Sequence, residues 1–117
     1  MAWDFSTEPE FQEKLDWVEQ FCKEKVEPLD YVLPYAIRNP DPVIRGYVRE
    51  LQQEIKDQGM WAIFLDEELG GPGFGQLKLG LLNEIIGRYS SAPQLFGAAA
   101  PDTGNMEMLA AYGTEEQ

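Results

Sequence analysis

The amino-acid sequence predicts an all-α fold. Apolar residues recur at intervals of three and four along several stretches, which is the spacing of one face of an α-helix. Helix start signals precede these stretches, and glycine and proline clusters separate them. The pattern predicts a helical bundle of about four to five helices, with no internal repeat and no low-complexity segment.

The first predicted helix begins in the segment Thr7-Glu8-Pro9-Glu10. Thr7 is expected to cap this helix, and Pro9 suits the first turn because that position needs no amide donor. Pro28 is expected to end or bend the helix, since proline cannot donate a backbone hydrogen bond. The apolar face of the helix comprises Phe11, Leu15, Val18, Cys22 and Val26.

A proline-rich connection is predicted over residues 30–42, and a second helix follows it. Asp41 is expected to cap that helix, with Pro42 at its first position. Gly59 is expected to close it, because glycine readily adopts the left-handed conformation that follows a helix end. The short apolar run at residues 60–65 fits either a helix or an extended buried segment.

Two further helices are predicted after the glycine-rich segment at residues 69–75. The first covers about residues 76–88, where apolar side chains again follow helical spacing. The second covers residues 103–112 and is closed by Gly113. Between them, residues 95–100 are small and apolar. They offer either a close-packing surface for another helix or a surface for an extended apolar ligand.

Composition and charge exclude several classes of function. The chain has 117 residues, of which 21 are acidic and 9 basic, so its net charge is −12. This charge disfavours DNA, RNA and anionic membranes as partners. The chain contains no histidine, which excludes imidazole catalysis and histidine-ligated metal sites. No secretory signal or membrane-spanning run is recognisable, so the cytoplasm is the expected location.

Each residue or motif that could take part in catalysis or ligand binding also has a purely structural interpretation. The glycines at residues 70–75 lack the preceding strand and the lysine–serine pair of a phosphate-binding loop, so a tight turn is predicted. The carboxylates at residues 67–68 are expected to form a solvated rim rather than an acid–base pair. Glu84 is expected to pair with Arg88 four residues later. Cys22, the single cysteine, is expected to lie inert in the core.

The last residues of the sequence carry a helix start signal. Thr114-Glu115-Glu116-Gln117 has the pattern of a capping box, which normally opens a helix. The chain is therefore expected to be cut before a following part, the alternative being a frayed acidic tail.

Several of these motifs resemble those of a known family. Residues 55–73 resemble the N-terminal signature of the acyl-CoA dehydrogenases, in which a helix ending in glycine leads to an apolar segment, an acidic turn and a Gly-Gly pair. Residues 82–88, 100–105 and 112–114 resemble the family's next two helices, in the same order. The resemblance covers nearly the whole chain, although Leu65-Asp66 stands where the family usually has a proline.

The resemblance implies that residues 1–117 are the N-terminal α-domain of a three-part flavoprotein, cut before its middle β-domain. In that family FAD lies between the β-domain and a C-terminal helical bundle, which also supplies the catalytic glutamate. This chain is therefore expected to hold no catalytic residue, no flavin ligand and no metal, and to be inactive alone. The resemblance further implies that the acyl pocket is lined by Phe96, Ala99, Ala100, Thr103 and Gly104. If their segment is helical, one face carries Phe96, either Ala99 or Ala100, Thr103 and Gly104.

The function implied by the resemblance is to cover the acyl pocket of an FAD-dependent acyl-CoA dehydrogenase. The full-length enzyme, expected to be a dimer or tetramer, would oxidise acyl-CoA to 2,3-enoyl-CoA in fatty acid metabolism. Acyl-CoA oxidases and related flavin monooxygenases share the architecture and remain alternatives. A freestanding helical interaction module, which binds a partner through exposed apolar faces, is the alternative from another class.

Overall fold

The computed structural model describes residues 6–117, and within that range it contains helices and no strand. The prediction of an all-α fold is therefore confirmed. A π-helical turn and two short 3-10 turns interrupt the connections between the helices. The α-helices in chain order are α1 (Pro9–Phe21), α2 (Glu27–Val32), α3 (Pro42–Asp57), α4 (Gly75–Ile86), α5 (Ala92–Leu95) and α6 (Asp102–Tyr112).

The start of α1 agrees with the predicted position but not with the predicted cap. The helix begins at Pro9, and Glu8 occupies the position before it with no side-chain hydrogen bond to the helix. The hydroxyl of Thr7 instead lies 3.4 Å from Oε1 of Gln12. The prediction that Thr7 caps α1 is therefore wrong.

Pro28 does not end the first helical segment. A π-helical turn, Cys22–Val26, follows α1 directly, and α2 begins at Glu27 with Pro28 in its first turn. A proline is tolerated there because the first turn of a helix leaves its amides without intrahelical partners. The helical path therefore extends to Val32, and the connection to α3 begins after it rather than at residue 30.

Both predicted ends of α3 are confirmed. The Asp41 carboxylate accepts a hydrogen bond of 2.8 Å from the amide of Val43, and so caps the first turn. At the other end, Gly59 has a φ of 67°, a conformation that costs glycine little. The Met60 amide donates to the Ile55 carbonyl at 3.0 Å, which together with the Gly59 conformation forms a Schellman-type end.

Residues 60–65 form a series of turns, neither a helix nor an extended strand. Met60 and Ile63 are almost completely buried in the core, and the backbone folds back so that the Leu65 amide donates to the Ala62 carbonyl at 3.0 Å. The segment leads into the glycine-rich connection, where the Gly73 amide donates to the Leu65 carbonyl at 3.1 Å. The tight turn predicted at residues 70–75 is thus present before α4.

The core lies among α1, α3, α4 and α5. Phe96, directly after α5, is fully buried, and its ring meets that of Phe21 edge-on with centroids 5.9 Å apart. Phe11 makes a similar edge contact with Phe74 at 5.5 Å. The other fully or almost fully buried side chains of this cluster include Val18, Cys22, Val26, Ile55, Met60, Ile63, Leu82, Ile86 and Leu95.

The predicted ion pair between Glu84 and Arg88 is wrong. The α-helix α4 ends at Ile86, so Arg88 lies beyond the regular turn that would bring the two side chains together. Arg88 instead pairs with Glu19 of α1 at 3.2 Å. A second contact between these regions joins Lys78 of α4 to Glu8 at 2.9 Å, and this hydrogen bond lowers the pKa of the Glu8 carboxyl below its ordinary value.

A carboxylate from α2 satisfies the backbone before α5. Asp30 accepts hydrogen bonds from the amides of Ser90 at 2.8 Å and Ser91 at 3.1 Å. Backbone amides near the start of a helix have no intrahelical acceptor. Asp30 supplies that acceptor from 60 residues earlier in the chain, which ties α2 to the entry of α5.

The Asp41 cap predicts a measurable loss of stability when its carboxylate is removed. Asp41→Ala should lower the free energy of unfolding by about 1 kcal/mol, because the Val43 amide loses its acceptor. Urea denaturation followed by circular dichroism measures this difference. Thr7→Ala is the matched control and should change the value by less than about 0.5 kcal/mol, since Thr7 does not cap α1. Equal losses in the two variants would contradict the capping assignment.

Two glycines should respond to alanine in opposite directions. A Cβ at Gly80, inside α4, meets nothing within 4 Å, so Gly80→Ala should raise the free energy of unfolding by about 0.5–1 kcal/mol. A Cβ at Gly71 would overlap the carbonyl oxygen and Cβ of Leu65. Gly71→Ala should therefore lower the free energy by about 2 kcal/mol. Thermal denaturation of both variants tests the pair, and a stabilised Gly71→Ala protein would refute the close approach.

Candidate functional site

The helix α6 is the least buried long helix in the part of the chain that the structure describes. None of its residues is buried, and Thr103 and Met106 are its two half-buried side chains. Met108 is 59% exposed, Leu109 51% and Tyr112 87%. The helix therefore touches the rest of the domain along a narrow edge and presents large apolar side chains outward.

One cavity lies between α3 and α6 and is called here the α3–α6 cavity. It has a volume of about 390 Å³, and Trp61 and Ala99 contribute to its wall. Its polar lining residues are Gln52, Gln94, Asp102 and Asn105. Its remaining lining residues are Ile37, Gly97, Met106 and Leu109.

A second cavity lies on another side of α6, against the turns at residues 64–69, and is called the α6–turn cavity. Its volume is about 350 Å³. Gly104 lines it, and the two carboxylates of Asp66 and Glu107 are at its wall. The other lining residues are Phe64, Leu65, Leu69, Met108, Ala111 and Tyr112. Both cavities thus share α6 as one wall and are mainly apolar.

The structure separates the residues predicted to line a pocket. Phe96 is fully buried in the core, Ala99 lines the α3–α6 cavity, and Gly104 lines the α6–turn cavity. Ala100 is exposed and Thr103 half-buried. The condition for a shared helical face is not met, because α5 ends before Phe96 and α6 begins only at Asp102.

Sequence reasoning did not identify Trp61, Met108, Leu109 or Tyr112 as part of this surface. The signal for the last three was present in α6 itself. Its apolar residues are distributed around the helix rather than gathered on one stripe, which is typical of a helix covered on more than one side. Trp61 carries no comparable local signal, because its place in the cavity wall depends on a contact with residues 96–97.

The ionisable side chains described at this surface do not form a catalytic or metal-binding cluster. Among residues 6–117 there is no group of three or more histidine, cysteine, aspartate or glutamate side chains that could hold a metal ion. Glu67 and Glu68 are exposed, as expected for a solvated rim. Cys22 is fully buried, and this burial, with a smaller effect from Asp30, raises the pKa of its thiol to about 12. The arrangement can bind or cover an apolar group, and it offers no activated nucleophile.

Among residues 6–117, no helix combines the length and the apolar character that a membrane span needs.

The sequence is similar to one protein family over almost its whole length. A family model described as acyl-CoA dehydrogenase, N-terminal domain, matches residues 8–117. The mouse protein acyl-CoA dehydrogenase family member 10 is 38% identical over 108 residues, which cover 84% of this chain and 10% of that protein. The rat protein acyl-CoA dehydrogenase family member 11 is 35% identical over 111 residues, which cover 91% of this chain and 14% of that protein.

A solved structure has the same fold. It is a protein of Mycobacterium abscessus assigned to the acyl-CoA dehydrogenases, and it superposes with a TM-score of 0.75 at 31% sequence identity. The match covers 97% of this chain and 30% of that protein. This chain therefore spans less than a third of the length of each of these three proteins.

The buried thiol predicts a pH dependence of stability. In the folded state, burial raises the pKa of the Cys22 thiol from its ordinary value of 9.0 to about 12. The folded protein therefore keeps this proton over a pH interval in which the unfolded chain loses it. The contribution to stability is complete below pH 9.0 and is lost as the pH rises through this interval. Between pH 8 and pH 10, wild type should lose about 1 kcal/mol more unfolding free energy than Cys22→Ala. Urea titrations at both pH values measure it, and identical losses would contradict the burial of the thiol.

Proposed function

Because the chain belongs to the acyl-CoA dehydrogenase family, as its N-terminal domain, we propose that it covers the acyl pocket of an FAD-dependent enzyme. The complete protein would oxidise an acyl-CoA thioester to 2,3-enoyl-CoA, with hydride passing to FAD. In this proposal residues 1–117 form one domain, and the middle β-domain and C-terminal helical bundle of the family supply the flavin site and the catalytic base. The complete protein would work in the cytoplasm as a dimer or tetramer.

The uncovered apolar surface of α6 carries the proposal. Three large apolar side chains of this helix are half or more exposed, and two mainly apolar cavities flank it. Soluble proteins rarely leave contiguous apolar surface uncovered unless it binds something. Ala99 and Gly104 are small residues in the walls of the two cavities. They leave room beside α6 for an apolar chain, which supports their proposed role in lining the pocket together with Ala100 and Thr103.

Phe96 enters the proposal in a different way from the other four residues. Its side chain is fully buried against Phe21, so a direct contact with substrate would require the core to open. We assign it instead to supporting the backbone that carries Ala99 and Ala100. Of the five predicted residues, the four after position 96 are thus left as lining residues.

The charge of the chain supports a division of tasks between domains. A net charge of −12 repels the phosphates of CoA and of FAD. Both cofactor phosphates should therefore be held by other parts of the complete protein. A domain of this charge is suited to contact the uncharged acyl end of the substrate.

A pair of glycine variants in the full-length protein tests the proposal. Gly104→Leu should raise the KM for acyl-CoA about tenfold with little change in kcat, because the new side chain fills space that the acyl chain uses. Gly80→Leu is the matched control, since both glycines are helical and neither Cβ position meets an atom within 4 Å. The measurement is flavin reduction by acyl-CoA. Equal KM values in the two variants would contradict the acyl-covering role.

Two further measurements, of flavin binding by this chain and of the electron acceptor of the full-length protein, test the proposal against its alternatives. Fluorescence titration of FAD with this chain alone should show no saturable binding at micromolar concentrations, and saturation would place a flavin site here. Consumption of O2 with substrate would assign the full-length protein to the oxidases or monooxygenases that share the architecture.

A freestanding interaction module remains the second candidate. It is favoured by a further exposed apolar group at the end of α2, where Tyr31 and Val32 are both at least 80% exposed. Analytical ultracentrifugation distinguishes the two. An acyl-covering domain separated from its neighbours should self-associate through α6, whereas a module should be a cooperative monomer.

A further inference from the structure

Trp61 lies in the turns at residues 60–65 and borders the α3–α6 cavity. Its ring contributes to the wall of the cavity together with Gly97 and Ala99. The cavity has a volume of about 390 Å³, and its polar side chains are amides and one carboxylate. Trp61 is the largest side chain in this wall, so its position has the greatest effect on the shape of the space.

The contact between Trp61 and Gly97 leaves no room for a side chain. A Cβ built on Gly97 would lie 2.9 Å from Cζ2 of the Trp61 ring and 3.0 Å from Cε2. Gly97 also has a φ of 64°, a conformation that residues with a Cβ rarely adopt. Glycine at position 97 is therefore required by both the ring and the backbone.

Two other interactions hold the ring in place against this backbone. The amide of Ala62, the next residue, donates a hydrogen bond of 3.1 Å to the carbonyl of Phe96. The Lys56 ammonium lies 4.5 Å from the centroid of the Trp61 ring, a distance typical of a cation–π interaction. Because Phe96 is fully buried, both the ring and the segment after α5 are anchored to the core.

From these contacts we infer that Trp61 is a positioning residue that sets the width of the α3–α6 cavity for the acyl chain. It holds the backbone at Gly97, and through it Ala99, at a fixed distance from α3. The inference rests on the proposed acyl-covering function, and it adds the residue that fixes the dimensions of one part of that surface. Because Trp61 holds this part of the cavity wall in position, its loss should weaken binding of the acyl chain without altering the chemical step.

The first experiment tests the contact itself and needs no enzymatic activity. In a chain carrying Trp3→Phe and Trp17→Phe, Trp61 is the single tryptophan fluorophore. Gly97→Ala should displace the ring toward water, shift its emission to longer wavelength and increase acrylamide quenching about twofold. Gly80→Ala, whose Cβ meets nothing within 4 Å, should leave both signals unchanged. An unchanged spectrum in Gly97→Ala would overturn the inference.

The second experiment tests the consequence for substrate in the full-length protein. Trp61→Leu should raise the KM for acyl-CoA about tenfold with kcat changed less than about twofold. Trp61→Phe keeps an aromatic ring at position 61 and should restore the KM to within about threefold of wild type. Circular dichroism confirms that each variant is folded, and Gly97→Ala provides a variant that moves the ring without removing it.

These measurements distinguish a failure of the positioning role of Trp61 from a failure of the acyl-covering function. A Trp61→Leu enzyme with a normal KM, or with a lower kcat and an unchanged KM, would overturn the positioning role and leave the acyl-covering function intact. A wild-type protein that does not reduce flavin with acyl-CoA would overturn the proposed function, and the substrate part of this inference with it. In that case the fluorescence result alone would still decide whether Trp61 positions residues 97–99.

Discussion

The ring of Phe96 is fully buried beside Phe21, and the backbone around it joins the two irregular segments of the domain. Its carbonyl accepts a hydrogen bond from Ala62, and the following glycine packs directly against Trp61. The turns at residues 60–65 and the connection after α5 therefore hold each other in position. This explains how α6 can start from a defined point although it buries none of its own side chains.

Irregular helical geometry also determines how α2 contributes to the domain. The π-helical turn at Cys22–Val26 separates α1 from α2, and Pro28 then falls in a first turn, where its missing amide is harmless. In this arrangement the carboxylate of Asp30 reaches the amides of Ser90 and Ser91. The backbone that enters the short helix α5 is thus held by a carboxylate from a distant part of the chain, and this helix leads to Phe96.

The distribution of polar and apolar groups among the described residues is the physical basis of the proposed covering role. The thiol of Cys22 is held protonated by burial, and the carboxylates beside the glycine-rich connection are exposed to water. The uncovered surface around α6 is instead apolar and bordered by two cavities. The proposed covering role rests on this apolar surface.

The sequence by itself determines the helical fold, much of the core stripe of α1 and both ends of α3, because periodicity and capping depend on residues within one or two turns. Asp41 and Gly59 are examples, since each acts on its nearest neighbours. Tertiary structure alone decides that Arg88 pairs with Glu19 and that Phe96 turns into the core. These outcomes depend on which helices pack together across many residues of chain, and local spacing carries no information about such long-range contacts.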